Sequence, residues 1–459
     1  MNNLYLKVKN NFIIYFLLIY LVSSINSPPF FYIQSLFNGD GISTLLLINI
    51  TRGMAPFVIL IFCFTFILLN NKNLKFDIIY FLLLAYILCQ VPFIHTQNLD
   101  KFYSYYWIFS SLSVVIFFYI IECNKEKILH NCLIIFYSII SIVGFIFIFK
   151  VLVIFFSKDV FFNLSYTNFY GNETTDAKTI FLDSFSPRSS GLSRYLTYMF
   201  LLIYVLYVYS HSFKTKKLNI CLITLLIFLN FIIFHLQSRS SIYFIFCLSI
   251  FSFFSINKNF LTKKIINFIL IFLLPFLLHI SEPLIRINII KHIENNNVSK
   301  KNFNQINTED LTASKIFQNN RLFKNPGNTG RYKIWGEAWT LIKKNKMMGY
   351  GPQADRVFLN HQSVSNVFFY SLLCGGVIAL IFILLLLLII IVKIYQSIFH
   401  YSVFESRKDI TTKFSIFVVG FLFVRGFAET SYGLFGADFI MFILAVSNLK
   451  IYIKNLRKV

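Results

Sequence analysis

Long apolar segments, separated by short polar connections, run along most of the chain. A helix that crosses a bilayer needs about 20 predominantly apolar residues. The pattern predicts twelve such helices, of which the sixth and the eleventh are short. Their ranges are 12–32, 47–69, 77–94, 102–122, 128–156, 195–210, 218–236, 240–256, 264–282, 365–392, 413–428 and 434–452. The predicted fold is therefore all-α and polytopic, with the chain integral to a membrane.

Composition agrees with this class. Apolar residues make up 57% of the 459 residues, charged residues only 13%, and the mean hydropathy is +0.69. A soluble domain cannot bury so large an apolar fraction, which excludes the soluble globular classes.

Connections that are rich in basic residues alternate along the chain with connections that carry few of them. One set of connections, which includes both termini, is basic throughout: Lys7, Lys9, Lys72, Lys75, Lys125, Lys127, Lys214, Lys216, Lys217, Lys258, Lys263, Lys264, the segment from Lys393 to Lys413, and the tail from Lys450. The short connections of the other set carry few basic residues, namely Arg52, Lys101, Arg239 and Arg425. The positive-inside rule then predicts that both termini are cytoplasmic.

Two long connections consequently face outward. One covers about 157–194, and the other, at 283–364, is the largest polar segment of the protein. Long loops are exempt from the charge rule, so their lysines do not disturb this topology. The predicted organisation is helices one to nine in 1–282, an outward loop in 283–364, and helices ten to twelve in 365–459.

The net charge of +23 indicates contact with anionic lipid headgroups. Nucleic acid is not a predicted partner, because no basic domain with groove-reading geometry is present. The seven cysteines lie in or beside apolar segments and form no C-x-x-C pair. Neither a metal site nor a disulfide framework is therefore predicted.

One charged side chain interrupts the apolar pattern in "HLQSRSSIYFIF", where Arg239 lies on the tight connection between helices seven and eight. Cytoplasmic loops prefer such a charge, and its outward position has two interpretations. The arginine extends to lipid phosphates, or it forms an anion site that faces a cavity of the bundle.

Further arginines lie on the same predicted side. "SPRSSGLSRYLTY" carries Arg188 and Arg194 just before helix six. In "NTGRYKIWGEAWTLIKKN", Thr329 can cap a helix that begins near Gly330, with Arg331 in its first turn. One face of that helix is apolar: Ile334, Trp335, Ala338, Leu341 and Ile342. This spacing predicts an amphipathic helix on the outer membrane surface, with Trp335 and Trp339 near the headgroups. The free amides of its first turn and Arg331 can hold a phosphate, although a lipid-bound surface arginine fits equally well.

Two more segments reach the predicted outer interface. His361 and Asn366 precede helix ten, and the histidine is either structural or a proton acceptor. In "VRGFAETSYG", Arg425 and Glu429 are four residues apart, so they are predicted to share a helix face and pair. Two interpretations follow. The ion pair determines how the helices pack, or Glu429 orients an arginine or a bound substrate.

Taken in order, "SPRSSGLSRYLTY", "QSRSSIYFI", "TGRYKIWGEAWTLIKKNKMMGYGP" and "NHQSVSNVFFYSLLCGGVIAL" resemble the O-antigen ligase and polymerase superfamily over about residues 180–450. The shared pattern is an S-R-[GS] step, a G-R-x-x-x-W-x-x-A helix that leads into G-x-G, and a His/Asn segment with a later G-x-[IV]. The family often has the histidine directly beside the asparagine, whereas His361 lies five residues before Asn366.

The resemblance implies an inverting glycosyl transfer from a polyprenyl-diphosphate-linked glycan, on the outer face of the bacterial inner membrane, without cofactor or metal. It assigns diphosphate contacts to Arg239 and Arg331, donor or glycan contacts to Arg188 and Arg194, and the general base to His361. Asn366 and Arg425 are further candidates for substrate binding, and Glu429 for catalysis.

The acceptor separates two functions. A polymerase extends another lipid-linked repeat unit, and a ligase uses lipid A-core or protein. We favour the polymerase because this style of sequence is common among surface-polysaccharide polymerases. A polysaccharide flippase is the alternative from another class, but it should carry charges deep along a central cavity. A chain-length regulator is a candidate protein partner.

Overall fold

The computed structural model describes residues 14–20, 41–70, 77–91, 98–124, 126–155, 189–209, 215–236, 238–255, 265–266, 268–281, 285, 331–359, 363–400, 403, 410–433 and 435–456. These residues are helical or lie in turns and connections, and no strand occurs among them.

A helical segment at 14–20 precedes the helices that are numbered here. They are α1 (Gly41–Asn70), α2 (Ile78–Leu88), α3 (Asn98–Asn124), α4 (Glu126–Phe155), α5 (Ser189–Tyr209), α6 (Lys216–His235), α7 (Arg239–Ser255), α8 (Ile269–Ser281), α9 (Arg331–Lys344), α10 (Ala354–Phe358), α11 (Val367–Tyr395), α12 (Ile410–Gly426) and α13 (Ala437–Leu456). Helix α8 opens with a π-helical turn, Ile269–Leu273, and a second π-helical turn, Gln396–His400, extends α11.

The all-helical prediction is confirmed within the described residues. Five of their segments are long and apolar enough to cross a membrane: Tyr105–Cys123, Ile128–Ile146, Lys217–Phe234, Val367–Phe399 and Ala437–Leu456. The twelve-helix count and the outward loop stay predictions. Helix α2 is shorter than the predicted span 77–94, because Val91 precedes Pro92 and a proline disfavours helix at the residue before it.

The chain forms two compact units. The first comprises Met1–Ser138 and Thr329–Val459, and the second comprises Ile139–Asn328. In the first unit, α13 is the central helix, since its residues from Ala437 to Leu449 are buried on every side. It packs against α12, and α12 is buried along most of its length.

Polar contacts join α2, α3 and α13 at one end of the first unit. Asp77 caps α2 by accepting the amide of Ile79 at 3.0 Å. Lys450 forms ion pairs with both Asp77 and Glu122, and its Nζ lies 5.0 Å from the centre of the Tyr80 ring. This end of the unit corresponds to the predicted cytoplasmic side.

Helix α11 is broken ten residues after its start, and the loop that follows α9 crosses it there. Gly376 has φ 66° and ψ −162°, which ends the regular helix locally. Tyr350 N and Gly351 N donate to the carbonyls of Leu373 and Cys374 at 2.8 Å, and Val377 N donates to Lys346 O at 2.9 Å. The loop thus satisfies backbone groups that the break would otherwise leave unpaired.

Glycine is required on both sides of this crossing. A Cβ on Gly376 would lie 2.2 Å from Met347 O, and one on Gly349 (φ +69°) would lie 2.6 Å from the backbone of Cys374. No side chain fits at such distances, so the crossing of loop and helix depends on this glycine pair.

Helix α9 is amphipathic, as its spacing predicts, and its apolar face packs on α11. Ala338 and Ile342 are buried with Tyr370, Leu373 and Cys374, and Ile334, Trp335 and Leu341 pack around them. The Trp335 ring stacks on Phe369 at 5.7 Å, and Trp339, which is 45% exposed, meets the same ring edge-on at 6.2 Å. The position of both tryptophans near the headgroups stays a prediction.

The second unit is built from the end of α4 and from α5 to α8. Helix α5 packs against α6, and α6 contacts the π-helical turn of α8. Asn230 on α6 is fully buried and donates from Nδ2 to the carbonyl of Ile271 in that turn. An amide inside an apolar helix pair needs such a partner, which sets how these two helices meet.

Candidate functional site

Several helix ends of the first unit meet at the end opposite the Lys450 contacts. The C-terminal end of α2 lies there, next to Gly433, since the hydroxyl of Tyr86 donates to Gly433 O at 2.9 Å. Helix α11 begins there, since Asn366 Nδ2 donates to Phe427 O, just after α12, at 3.0 Å. The polar side chains of these ends are the candidate site of this unit.

An ion pair joins the start of α9 to the connection between α12 and α13. Arg331 Nη2 lies 3.2 Å from Glu429 Oε1, and the two side chains are 31% and 22% exposed. A cation in the first turn of a helix is disfavoured by the macrodipole, and the Glu429 carboxylate offsets this. A guanidinium has five N–H donors, so a single carboxylate contact leaves capacity for an anion.

Arg425 has a different carboxylate partner from the one the sequence predicted. Its Nε lies 2.9 Å from Asp438 Oδ2, and both side chains are 4% exposed. Ser431 Oγ also donates to Asp438 Oδ2, at 3.3 Å. The predicted pairing of Arg425 with Glu429 is wrong, because α12 ends at Gly426 and Glu429 lies beyond the helix. Arg425 Nη1 is buried without a hydrogen-bond partner among the described residues.

Asn366 is the N-cap of α11. Its Oδ1 accepts the amides of Phe368 at 2.9 Å and Phe369 at 3.0 Å. Its Nδ2 donates to Phe427 O, so both ends of the side-chain amide hold backbone. Asn366 therefore connects the start of α11 to the residues that lead to Glu429, and its proposed contact with substrate stays a prediction.

A chain of hydrogen bonds fixes the segment just before Asn366. Trp335 Nε1 donates to Val364 O at 2.8 Å, and Val364 N donates to Asp355 Oδ2 at 3.2 Å. Burial raises the pKa of the Asp355 carboxyl, while the nearby Arg356 charge and the bonds from Val364 and Arg356 oppose that rise. Val364 thereby joins α9, which carries Arg331, to Asp355 on α10.

Sequence reasoning did not single out Asp355. The available signal was its isolation, as the only acidic residue between Glu337 and Glu405, in a segment rich in glycine and apolar residues. A buried carboxylate that accepts backbone amides has no periodicity of its own, so that signal alone does not identify the role.

In the second unit, Arg194 and Arg239 each lie close in sequence to a serine, and these two serines are hydrogen-bonded to each other. Ser193 Oγ donates to Ser241 Oγ at 2.8 Å, which joins α5 beside Arg194 to α7 two residues after Arg239. Arg194 Nη2 donates to Tyr195 OH at 3.2 Å, and its guanidinium lies 4.8 Å from the centre of that ring. The structure thus places Arg194 and Arg239 at the same end of this unit.

Two predicted residues, Arg188 and His361, lie outside the described residues. Within the part of the chain that the structure describes, no group of three or more His, Cys, Asp or Glu side chains is arranged to hold a metal ion.

A comparison with known protein families gives a match for the middle part of the chain. The family model described as O-antigen ligase matches residues 220–384, a segment that includes Arg239 and Arg331. This match confirms the resemblance to the O-antigen ligase and polymerase superfamily and lends no support to a flippase. Neither the search of curated proteins nor the search of solved structures gives a match.

Proposed function

We propose that the protein polymerises polyprenyl-diphosphate-linked oligosaccharide repeat units into a surface polysaccharide, on the outer face of the bacterial inner membrane. The observation that carries the proposal is the partly exposed ion pair of Arg331 with Glu429. The Arg331 guanidinium lies at a helix N-terminus, inside the segment that matches the O-antigen ligase family model, which supports a role in binding an anion.

The reaction needs stabilisation of a leaving diphosphate. The hydroxyl oxygen of the acceptor sugar forms a bond to the anomeric carbon from the face opposite the diphosphate, as the carbon–oxygen bond to the diphosphate breaks. The electron pair of that bond stays on the diphosphate oxygen, and the hydroxyl proton passes to a base. Negative charge therefore accumulates on the leaving group, where fixed cationic donors lower the barrier most.

Arg331 fits the role of diphosphate contact. Its guanidinium is held by one carboxylate, is nearly a third exposed, and lies in the first turn of α9, where the helix dipole favours an anion. A bidentate phosphate contact is stronger than a single exposed ion pair, so donor binding can replace or share the Glu429 contact. Glu429 then positions Arg331, one of the roles that the sequence suggested for it.

The other predicted residues differ in their support. Arg239 and Arg194 stand at one end of the second unit, and their contacts with the donor stay proposals. His361 is the proposed general base, and Arg188 a further donor contact. The buried pairing of Arg425 with Asp438 gives that arginine a structural contact, which weakens its proposed role in substrate binding.

Purified protein with synthetic lipid-linked repeat units tests the reaction and the acceptor together. Reactions contain the donor alone or the donor with lipid A-core, and the products are separated by size. A ladder from the donor alone supports the polymerase. No product in either reaction overturns the proposed glycosyl transfer.

A ligase is the second candidate, because the matching family model is itself described as O-antigen ligase. A single product that forms only when lipid A-core is present supports this alternative and overturns the polymerase. The matched control is Arg331→Ala, which should lower the rate of formation of either product about a hundredfold while the protein remains in the membrane.

A further inference from the structure

A cavity opens between α2, α3 and α11, at the same end of the first unit as the candidate site. Gln90, Trp107, Tyr370 and Gly433 are among the residues that line it, and the space is called the α3 cavity. It encloses about 310 Å³ including its mouth. This volume lies at the small end of the range for ligand sites, about 300–1,000 Å³, and suits one sugar or part of one.

The wall of the α3 cavity continues into the candidate site. Gly433 N donates to Thr430 O at 2.8 Å, and Glu429, which pairs with the arginine of α9, directly precedes Thr430. On another wall, Tyr370 N donates to Asn366 O at 2.9 Å. A molecule in the cavity therefore lies beside the connection that carries Glu429, where the acceptor of the proposed transfer has to be held.

Three polar groups of the cavity wall already have partners. The Tyr86 hydroxyl donates to Gly433 O, and the Tyr370 hydroxyl accepts the amide of Gln353 at 3.3 Å. Ser111 Oγ donates to a carbonyl one turn earlier in α3, at 2.8 Å. A ligand would have to compete with the protein's own hydrogen bonds at these groups.

Two further polar groups of the wall are available. Gln90 is 5% exposed, and its Nε2 donates to Tyr86 O at 3.1 Å. Among the residues that the structure describes, neither Gln90 Oε1 nor the indole N–H of Trp107 has a hydrogen-bond partner. Buried amide oxygens and indole N–H groups normally have partners. The cavity therefore offers one acceptor and one donor to a ligand.

Apolar side chains complete the wall. Ile87, Ile108 and Phe439 line the cavity, and each is at most 5% exposed. The Trp107 ring is held by an edge-on contact with Phe435, with ring centres 5.6 Å apart. A ligand that matches this cavity carries a donor, an acceptor and a small apolar group close together.

We infer that the α3 cavity binds the acetamido group of the acceptor sugar, so that the protein selects a 2-acetamido sugar as its acceptor. The inference rests on the proposed function. An acetamido group carries a carbonyl oxygen, an N–H and a methyl group in one planar unit. The carbonyl accepts from Trp107 Nε1, the N–H donates to Gln90 Oε1, and the methyl group contacts the apolar wall. A hydroxyl in its place leaves one of the two protein groups unpaired, which costs affinity.

A binding measurement tests the cavity without any glycan transfer. The full-length protein in lipid nanodiscs is titrated with the methyl glycosides of N-acetylglucosamine, N-acetylgalactosamine and N-acetylmannosamine, and with those of glucose, galactose and mannose, followed by saturation-transfer NMR. At least one acetamido sugar should bind, with the strongest saturation at its acetyl methyl group, and its hydroxyl counterpart should bind about tenfold more weakly. Binding of no acetamido sugar, or of both members of every pair alike, overturns the inference.

Two variants locate the binding in the cavity. Trp107→Phe keeps an aromatic ring and removes the N–H donor, and Gln90→Leu removes the acceptor. Each should weaken binding of the preferred acetamido sugar about fivefold and leave its hydroxyl counterpart unchanged. The matched control is Trp339→Phe, which removes an indole N–H from the exposed side of α9 and should change neither affinity. Equal affinities for the native protein and Trp107→Phe, with equal unfolding midpoints, overturn the inference.

Kinetics keep this inference separate from the fate of the proposed function. Two lipid-linked acceptors are compared that differ only in their terminal sugar, the preferred acetamido sugar or its hydroxyl counterpart. Trp107→Phe should raise KM for the acetamido acceptor about fivefold, with kcat and both constants for the hydroxyl acceptor unchanged. Glycan transfer with the same KM for both acceptors supports the proposed function and overturns the inference. Selective binding of the acetamido sugar without any transfer supports the cavity and overturns the proposed function.

Discussion

Two ion pairs at the same end of the first unit differ in burial. Arg331 and Glu429 are 31% and 22% exposed and 3.2 Å apart. Arg425 and Asp438 are 4% exposed and 2.9 Å apart. A buried pair loses its hydration permanently, so removal of one partner leaves an uncompensated charge. A partly exposed pair exchanges partners at little cost. Burial therefore separates an arginine that holds the fold from one that can exchange its partner.

The largest effect is expected at the buried pair. Asp438→Ala should lower the free energy of unfolding by about 3–5 kcal/mol, because Arg425 then remains charged and buried without a partner. The thermal unfolding midpoint of the purified protein and its amount in membranes measure this. Glu429→Ala is the control and should change neither. An unfolding midpoint for Asp438→Ala equal to that of the native protein would contradict the structural role.

The second-largest effect is expected on the rate of glycan transfer when the partly exposed ion pair is changed. Arg331→Ala should lower the rate of glycan transfer by about a hundredfold, or about 3 kcal/mol, since a fixed donor to the leaving group is lost. The unfolding midpoint should stay the same. Lys333→Ala, an exposed neighbour on α9, should retain full activity. Equal activity of the two variants would remove Arg331 from the reaction.

A smaller effect is expected when only the positioning carboxylate changes. Glu429→Gln keeps the shape of the side chain and loses its charge, and an exposed pair contributes at most about 1 kcal/mol. The rate should therefore fall no more than about fivefold. Initial rates at several salt concentrations check this, because added salt should narrow the difference between variant and native protein. A loss as large as that of Arg331→Ala would mean that Glu429 acts on the substrate directly.

The smallest effect concerns pH. The pKa of Asp355 is higher in the folded protein than in the unfolded chain, mainly because of burial, so the folded state holds this proton more tightly. The contribution of Asp355 to the free energy of unfolding is therefore fully present below its ordinary pKa, near pH 4. It is lost as the pH rises through the raised pKa of the folded protein. Asp355→Asn should lack this slope. Unfolding midpoints of both proteins across that range test it, and parallel curves would rule it out.

Prediction from the sequence worked best where the signal was local. Each predicted apolar segment overlaps a helix among the described residues, although the ends of the numbered helices differ from the predicted ends by up to six residues. The spacing of Ile334, Trp335, Ala338, Leu341 and Ile342 predicted the buried face of α9. These properties follow from periodicity along a single segment, which a sequence displays directly.

Prediction failed where the outcome depended on which segments meet. The four-residue spacing of Arg425 and Glu429 suggested one helix face, but the helix ends between them. The span over 365–392 reads as one continuous helix, and only the crossing loop explains the break at Gly376. Asp355 acquires its role from Val364 and Trp335, which pattern alone does not connect to it.

The amino-acid sequence by itself determined the all-helical class, the apolar segments that the described helices occupy, and the motifs that resemble the O-antigen ligase and polymerase superfamily. The tertiary structure alone decided which carboxylate each arginine of the first unit contacts, and how deep each contact is buried. The physical reason is the separation along the sequence of the residues that interact. Hydrophobic periodicity acts between residues a turn apart, whereas an ion pair forms between helix ends that only folding brings together.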